Sequence, residues 1–387
     1  MNILTINAGS SSIKYKVYTQ GKLLLSGLIE GITEVVGQWH HQYQDKKRIT
    51  RQFADHQQAF SVLAEQLYQD LADYPIQGVG HRVVHGGEQF YQPTVITDHV
   101  LEQLKKLSSL APLHNPVNIL GIEYARQHFP AATHVAVFDS GFHHTMPEHV
   151  RRYAINTAIA DQYQIRRYGF HGINHQYVAI QAAKFLNKPL EKCNFITLHL
   201  GNGASACLIK QGQSQDTSMG MTPLAGLVMG TRCGDIDPAI PLYLLAQGLP
   251  GQEIDQLLNK KSGLKGVGND NDMRNILKLI SEGNNDARLA LKMYVYAIQK
   301  VIGAYFAQTD SLDALIFTGG VGENAAAVRQ EVIAPLRHLN FQLNEKINQS
   351  PADESCQSIA SGAIPILIIK GDEEIFIAQQ VEIILQP

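Results

Sequence analysis

Asn-Ala-Gly-Ser-Ser-Ser-Ile-Lys, residues 7–14, stands between two apolar, β-branched runs at residues 2–6 and 13–19. The connection is too short for a crossover helix, so the two runs are expected to pair as an antiparallel hairpin. Small residues in such a turn let backbone amides approach an anion, and the hydroxyls and Lys14 add further donors. The segment favours a phosphate-binding turn, with a plain polar hairpin turn as an equal alternative.

The strand, loop and strand pattern recurs in the middle of the chain. Residues 195–210 repeat it, with Gly-Asn-Gly-Ala-Ser as the loop at 201–205. A third glycine-rich loop, residues 318–324, follows an apolar strand and precedes a helix expected at 325–336. Strands that alternate with helix-length amphipathic stretches are typical of an α/β protein, and the recurrence predicts an internal duplication.

Helices and one polar segment complete the predicted elements. Residues 38–52 carry no long apolar pattern and are expected to form a solvated hairpin or loop. The other helices predicted from apolar residues spaced three and four apart lie at 60–71, 118–128, 177–186 and 289–307.

The length of the chain predicts two domains, because 387 residues exceed the usual domain size of about 100 to 200. The boundary is placed near residues 146–151, ahead of the second repeat, which gives an N-terminal domain 1–148 and a C-terminal domain 149–370. The last segment, 371–387, is expected to pack back on the first domain.

Charge and composition exclude several classes of protein. A formal charge of -3 and a pI near 6.6 provide no basic field for nucleic acid. The N-terminus lacks a signal sequence and no apolar run approaches ~20 residues, so no membrane partner and a cytoplasmic location are expected. The four cysteines show no C-x-x-C spacing, so they are read as ordinary thiols.

Familiar nucleotide motifs are missing or out of context. The Walker A pattern is absent, which argues against a P-loop enzyme. G-x-G-x-x-A occurs at 201–206 and 320–325, but the first copy leads into a strand instead of a helix. The second copy keeps an NAD-dependent oxidoreductase open as an alternative. Paired phosphate hairpins in related domains are instead the plan of the actin-like, sugar-kinase and Hsp70 ATPase superfamily, which also includes non-enzymatic nucleotide switches.

Charged residues beside glycines provide candidates for chemistry. Arg82 and Arg232 both lie in glycine-rich surroundings, where close backbone approach to a ligand competes with an ordinary surface role. His114 and His171 recur in similar settings, with capping or core roles as alternatives. Asp139 ends an apolar strand, a common place for a metal or substrate contact, although a helix cap is an equal alternative.

Together these segments resemble the acetokinase family over nearly the full chain. The matching segments are NAGSSS at 7–12, RVVHGGE at 82–88, APLHNP at 111–116, RYGFHG at 167–172, HLGNGAS at 199–205, DTSMG at 216–220, GTR at 230–232, GDIDP at 234–238 and FTGGVGEN at 317–324. The resemblance implies two duplicated actin-like (ribonuclease H-like) ATPase domains with a cleft between them. It also implies reversible, magnesium-dependent transfer of the ATP γ-phosphoryl group to acetate.

The resemblance assigns roles to individual residues. Arg82 and Arg232 would stabilise the phosphoryl group, His171 would hydrogen-bond it, and Asp139 would align acetate or the magnesium shell. Asn7 and Glu373 would hold Mg²⁺, for which Mn²⁺ could substitute. The residues that would contact the nucleotide or its phosphates are Ser10, Ser12, Lys14, His114, His199, Asn202, Gly203, Asp272, Arg274, Gly322 and Asn324. The transfer would be direct, without a phosphoenzyme.

The acyl pocket implied by the resemblance consists of Val84, Leu113, Phe170 and Pro223, together with Arg82. Val84 is typical of acetate kinases, and propionate is expected to be a poorer but real substrate. The resemblance further implies a homodimer. Three departures from the family pattern are Ile173-Asn174 in place of Thr-Ser, Ala225 in place of Glu, and Gly371-Asp372 in place of Thr-Asn.

Overall fold

The computed structural model describes residues 1–350 and 354–386. The chain divides into two compact units. The first consists of Met1–Phe142 and Asp372–Pro387, and the second is His143–Gly371. The sequence placed the corresponding boundaries after residues 148 and 370.

The described residues form strands and helices in the following order. The strands are β1 (Asn2–Gly9), β2 (Ser12–Thr19), β3 (Lys22–Glu30), β4 (Gly37–Tyr43), β5 (Asp45–Arg51), β6 (Gly78–Val83), β7 (Thr94–Val95), β8 (Thr133–Phe138), β9 (Asn194–Leu200), β10 (Ala204–Lys210), β11 (Gln213–Thr217), β12 (Ala314–Thr318), β13 (Cys356–Ser358) and β14 (Ile366–Ile369). The helices are α1 (His56–Asp70), α2 (Asp98–Lys106), α3 (Asn115–His128), α4 (Glu148–Arg151), α5 (Thr157–Gln162), α6 (Gly172–Phe185), α7 (Ala239–Ala246), α8 (Gly251–Lys260), α9 (Gly263–Gly268), α10 (Met273–Ser281), α11 (Asn285–Phe306), α12 (Gly319–Asn324), α13 (Ala326–Ile333), α14 (Glu345–Gln349) and α15 (Glu373–Leu385).

Each unit contains one mixed sheet, and the two sheets share a topology. The strand order is β5-β4-β3-β2-β1-β6-β8-β7 in the first unit and β11-β10-β9-β12-β14-β13 in the second, among the described residues. In the first unit β1, β2 and β3 pair antiparallel in sequence, and β6 and β8 extend the sheet parallel to β1. In the second unit β9, β10 and β11 pair antiparallel in the same way, and β12 and β14 extend the sheet parallel to β9. The α/β class is therefore confirmed, and the duplication inferred from the loops appears as a repeated strand order.

The polar segment at residues 38–52 forms a regular hairpin of β4 and β5, anchored to the core by a buried hydrogen-bond network. The indole of Trp39 donates to the Tyr15 hydroxyl at 2.8 Å, and that hydroxyl bonds Nδ1 of His41 at 2.6 Å. Nε2 of His41 lies 2.7 Å from Asp70 on α1. Because polar side chains satisfy one another here, the hairpin joins the sheet without an apolar pattern.

The third glycine-rich loop was predicted wrongly. Residues 319–324 are helical, as α12, and a break at Ala325 separates them from α13. The reason is tertiary: the buried guanidinium of Arg329 donates to the carbonyl oxygens of Gly322 at 2.8 Å and Glu323 at 3.0 Å. These bonds satisfy carbonyls that a glycine-rich helix end would otherwise expose. Predicted helices at 60–71, 118–128, 177–186 and 289–307 coincide with α1, α3, α6 and α11.

A search of the described residues for membrane-spanning segments found no helix with the length and apolar character needed to cross a bilayer.

Candidate active site

Four predicted site residues of the first unit meet at one edge of its sheet. Asn7 lies near the end of β1, Arg82 lies on β6, and Asp139 follows β8 directly. Since these three strands are parallel, their carboxyl ends share an edge. Arg82 donates to Asp139 from both Nε, at 3.2 Å, and a terminal nitrogen, and its other terminal nitrogen lies 3.3 Å from Oδ1 of Asn7. Glu373, the first residue of α15, lies 3.5 Å from Nε of Arg82.

This cluster is shielded from solvent. Asp139 is 1% exposed and the Arg82 side chain 20% exposed. Burial alone would lower the pKa of Arg82, but the Asp139 and Glu373 carboxylates raise it, so the guanidinium stays charged. Burial raises the pKa of Asp139 to about 6, against the opposing effect of Arg82. The helix-cap alternative for Asp139 is thus replaced by a forked ion pair.

The raised pKa of Asp139 predicts a pH dependence. Above about pH 6 the carboxylate is ionised and orients Arg82, whereas below it the protonated group loses its negative charge and one of the two oxygens that accept in the fork. We expect kcat to fall about tenfold per pH unit below that point. The folded-state pKa exceeds the ordinary value of 3.8, so this group's stabilisation of the fold is full below pH 3.8 and is lost as pH rises through 6. As pH rises through about 6, kcat should therefore increase while the contribution of Asp139 to the stability of the fold decreases.

The measurement is a pH–rate profile of the wild type and of Asp139→Asn. The variant should be slower at every pH and should lack the limb near pH 6. An unchanged limb in Asp139→Asn would assign it to a substrate group instead.

Ser10 lies in the β1–β2 turn and Ser12 begins β2. Lys14 lies opposite Asn7 in the hairpin register. The ammonium of Lys14 contacts Glu374 at 2.8 Å, and Glu374 is 2% exposed. Lys16 lies 2.8 Å from Asp372, the N-cap of α15. These two ion pairs hold the start of α15 against β2 and so position Glu373 beside Arg82.

Two buried asparagines on α3, which sequence reasoning missed, hold the backbone around this cluster. Asn118 donates to the Ala8 carbonyl at 2.8 Å and accepts from the Val84 amide at 3.0 Å. Asn115 makes a reciprocal pair of bonds with the His85 backbone. Asn115 stood within a quoted motif, whereas no sequence signal distinguished Asn118. Nearby, His114 occupies the N-cap position of α3, next to the half-exposed Leu113.

In the second unit, His171, His199, Gly203 and Arg232 lie together. His171 precedes α6 with a left-handed backbone, φ 56°, and its ring stacks on His199 at a centroid distance of 4.2 Å. A Cβ placed on Gly203 would lie 3.4 Å from a terminal nitrogen of Arg232 and 3.5 Å from Nε2 of His171. The glycine thus leaves a small space that a cation and an imidazole border. An anion fits that setting.

Backbone contacts position Arg232. The carbonyl of Arg232 accepts from the Met229 amide at 3.1 Å, and the Leu264 amide donates back to Met229 at 2.9 Å. A terminal nitrogen of Arg232 donates to the Pro223 carbonyl at 3.3 Å. Burial lowers the pKa of Arg232. The loop therefore presents a partly desolvated guanidinium, whose interaction with an anion is stronger than in water.

A cavity of about 460 Å³ adjoins the Gly201–Ser205 turn of the second unit, within the size range of ligand sites. Four predicted nucleotide residues line it: Asn202, Asp272, Arg274 and Asn324. Asp272 caps α10 and pairs with Arg274, whose hydrogen bonds lower the pKa of Asp272 to about 2. Gly322, also predicted, is buried in α12 and does not line the cavity.

Two residues without a predicted role, Glu323 and Arg329, hold helix α12, whose Gly320, Val321 and Asn324 line the cavity. Oε1 of Glu323 accepts from the amides of Gly319 at 2.9 Å and Gly371 at 3.0 Å. Arg329 holds the other side of α12, through the contacts described above. Glu323 stood within a quoted motif but had no predicted role. Its role is structural, since it joins the start of α12 to the end of the second unit.

Two of the departures from the family pattern fit together in space. A Cβ on Gly371 would lie 2.4 Å from Nδ2 of Asn174, and Asn174 is 2% exposed. Oδ1 of Asn174 is buried with no hydrogen-bond partner among residues 1–350 and 354–386. The larger side chain at 174 thus occupies the space that the missing side chain at 371 leaves.

This fit predicts a coupled pair of substitutions. Gly371→Thr alone should lower the free energy of unfolding by about 2 kcal/mol, because it overpacks a filled site. Asn174→Ser should recover most of that loss in the double variant. Denaturant titration of the two single variants and the double variant measures the coupling, and simple additivity would contradict the prediction. Gly303→Thr, where a Cβ meets open space, is the control for adding a threonine.

The predicted acyl-pocket residues are divided between the units. Val84 and Leu113 belong to the first unit, and Phe170 and Pro223 to the second. Phe170 is buried and Pro223 contacts Arg232 through its carbonyl, so these two lie near the histidine and arginine just described.

Hard oxygen donors for a cation are present in the first unit. Asn7, Asp139 and Glu373 surround Arg82 and offer amide and carboxylate oxygens, the donor type that Mg²⁺ takes together with phosphate oxygens. In the described part of the chain no group of three or more His, Cys, Asp or Glu side chains could hold a metal alone. The donors therefore fit an ion that shares its shell with a substrate.

Comparisons with known proteins agree with this geometry. Residues 2–379 match the model of the acetokinase family. A curated acetate kinase of Sulfurovum sp. (strain NBC37-1) is 48% identical, over 100% of this chain and 99% of its own length. The crystal structure of a propionate kinase from Francisella tularensis subsp. tularensis SCHU S4 matches with a TM-score of 0.94 and 39% identity, covering 98% of this chain and 99% of its own. That of Porphyromonas gingivalis acetate kinase matches with a TM-score of 0.93 and 37% identity over the whole of both chains.

These matches confirm the resemblance found in the sequence and the actin-like fold class that it implied. The oxidoreductase and nucleotide-switch alternatives are set aside, because the match extends over nearly every residue and includes all nine quoted segments. The chain belongs to the acetokinase family.

Proposed function

We propose that the chain transfers the γ-phosphoryl group of ATP to acetate, reversibly, to give acetyl phosphate and ADP. The observation that carries the proposal is the Arg82 guanidinium, held in a fork by buried Asp139 beside Asn7 and Glu373. Identity of 48% to an acetate kinase over the whole chain supports the choice of reaction. The distant alternatives from other classes have no comparable support.

The acceptor needs no general base, because acetate is ionised at neutral pH. The barrier comes from bringing two anions together and from charge on the phosphoryl oxygens. Arg82 and Arg232 supply fixed positive charge for those oxygens, and His171 supplies a hydrogen-bond donor. Asp139 keeps Arg82 oriented and helps to align acetate. Transfer then proceeds in line, directly from ATP to the carboxylate oxygen.

The nucleotide contacts follow from the two phosphate turns and the cavity. Ser10, Ser12 and Lys14 in the first unit would bind phosphate oxygens, with His114 nearby. In the second unit the phosphate contacts would be His199, Asn202 and Gly203. The adenosine would occupy the 460 Å³ cavity, against Asp272, Arg274 and Asn324, with Gly322 in the adjoining helix α12.

Asn7 and Glu373 would hold Mg²⁺, directly or through water, with Asp139 close to its shell. When bound, the ion would neutralise charge on the ATP phosphates. Mn²⁺ has the same preference for oxygen donors and could replace it.

A second candidate function is transfer to propionate or another short-chain acid as the preferred acceptor. The 39% identity to a propionate kinase favours it. Val84 is buried and would limit the length of the acyl chain. A single methylene changes specificity by only about 1 to 3 kcal/mol, so propionate should react more slowly than acetate.

The test is a hydroxamate assay with ATP, magnesium and acetate, propionate or butyrate in turn. Acyl phosphate from acetate, and less from propionate, is the expected result. No acyl phosphate from any acid would reject the kinase proposal, and a preference for butyrate would change the substrate.

The protein would act as a cytoplasmic homodimer, without nucleic-acid or membrane partners. Helix α7 supports the dimer, because Leu242, Tyr243 and Leu245 are 68%, 63% and 54% exposed on one short helix. Apolar side chains exposed together commonly mark a protein interface. Sedimentation velocity would measure the assembly, and a monomer at micromolar concentration would reject it.

A further inference from the structure

A chain of hydrogen bonds runs into the protein from His171. Nδ1 of His171 lies 2.9 Å from the Ser205 hydroxyl, which lies 2.8 Å from Nε2 of His175. Nδ1 of His175 lies 2.7 Å from the Thr197 hydroxyl. Ser205, His175 and Thr197 are all 0% exposed. We call these three residues the buried relay.

The fold builds the buried relay from rigid elements. His175 lies in the first turn of α6, and its amide donates to the carbonyl of the N-cap residue His171 at 2.9 Å. Thr197 lies on β9 and Ser205 on the adjacent strand β10. A polar chain fixed by a helix and two central strands can hold one set of proton positions.

Two proton arrangements satisfy the short contacts and also give the proton of the buried Ser205 hydroxyl a partner among them. They differ in the proton position on His171 and in the direction of the Thr197 hydroxyl. In the first, Thr197 donates to His175, His175 donates from Nε2 to Ser205, and Ser205 donates to Nδ1 of His171. The single proton of neutral His171 is then on Nε2. In the second, every bond is reversed, and Nε2 of His171 carries a lone pair.

The contact distances of the Thr197 hydroxyl distinguish the two proton arrangements. In the second arrangement the Thr197 proton must go to the Cys207 carbonyl, which lies 3.4 Å away. In the first it goes to His175 at 2.7 Å. A contact of 3.4 Å is long for a hydroxyl donor, whose usual range is about 2.5–3.0 Å, so the first arrangement is favoured.

The hydrogen bonds of the buried relay can run in one direction only if His175 is neutral. Burial lowers the pKa of His175 well below its ordinary value, and the neighbouring His143 and His199 lower it further. A neutral ring has one donor and one acceptor, so it transmits direction from Thr197 to Ser205.

We propose that Thr197, His175 and Ser205 are positioning residues that keep the proton of neutral His171 on Nε2, where it can donate to the phosphoryl group. The proposal rests on the role of His171 in the proposed function. Nε2 borders the space at Gly203 together with the Arg232 guanidinium. A cation at that place favours a lone pair on Nε2, so the buried relay opposes the effect of Arg232.

The first test is independent of activity. In protein labelled with ¹⁵N-histidine, long-range ¹H–¹⁵N spectra distinguish the two neutral tautomers, and His171→Gln identifies the signal of residue 171. His171 and His175 should both carry their protons on Nε2. A proton on Nδ1 of His171 in the wild type would overturn the proposal.

The second test is kinetic. Ser205→Ala disconnects His171 from His175 and should lower kcat about tenfold at pH 8, the effect of one lost hydrogen bond to a charged group, with little change in KM for ATP. At a pH low enough to protonate the His171 imidazole, the ratio of variant to wild type should recover, because a protonated ring carries a proton on Nε2 without help. His143, His175, His199 and Arg232 surround this ring and are unchanged in the variant.

Ser218→Ala is the matched control, because the Ser218 hydroxyl accepts from the Ala206 amide and stands outside the buried relay. It should leave the ratio independent of pH. A pH-independent loss in Ser205→Ala would show structural damage and reject the relay. If the wild type makes no acyl phosphate, the proposed function fails, while the tautomer of His171 still tests the relay.

Discussion

Arg82→Ala is expected to lower kcat by about 10³-fold, while KM for ATP changes by no more than a few-fold. The reason is the position of the Arg82 guanidinium charge. Arg82 is fixed by Asp139 and Asn7 within the first unit, at the edge where β1, β6 and β8 end. Its proposed contact with the phosphoryl oxygens strengthens as transfer proceeds, so the loss should appear in turnover and little in binding.

The same substitution has a second consequence. Asp139 is 1% exposed, and removing Arg82 leaves its carboxylate buried without a cation. The pKa of Asp139, already raised to about 6, should rise further. Arg82→Lys separates the two effects, because a lysine keeps the charge but cannot make the fork. It should restore stability more than turnover.

Initial-rate kinetics and thermal unfolding of Arg82→Ala, Arg82→Lys and Arg126→Ala measure both effects. Arg126 pairs with the exposed carboxylate of Asp98 and provides the same change away from the cluster. A rise in KM for ATP that accounts for the whole loss would place Arg82 in nucleotide binding and contradict its role in the transfer.

Much of the candidate site was predictable because strand ends and glycine-rich turns leave marks in the sequence. Asn7 follows an apolar run, Asp139 ends one and Arg82 lies beside glycines, and parallel strands bring such ends to one edge. Their mutual contacts, with Arg82 forked onto Asp139, could not be derived from the spacing. They depend on the order in which the strands add to the sheet.

The supporting residues were not predictable for a different reason. Asn118 and Arg329 stand in helices whose pattern is satisfied by their apolar neighbours, so a polar residue there looks incidental. Each gains its role from a partner far along the chain. Asn118 bonds Ala8, and Arg329 bonds Asn348 at 2.7 Å. Buried polar groups must find such partners, but the sequence does not say which.

Gly263→Ala is expected to lower the free energy of unfolding by about 3 kcal/mol and kcat by about 10²-fold, although residue 263 has no proposed contact with a substrate. Gly263 has a left-handed backbone, φ 63°, and an added Cβ would lie 2.1 Å from the Met229 carbonyl oxygen and 2.7 Å from that of Arg232. Backbone atoms cannot move aside cheaply, so the loop that presents Arg232 must shift.

Gly248→Ala is the control: its φ is 92° but its Cβ would meet nothing within 4 Å, so it isolates backbone strain and should leave kcat unchanged. Denaturant unfolding and initial rates of both variants decide the matter. If Gly263→Ala loses stability but keeps full turnover, the position of the Arg232 loop does not limit the reaction.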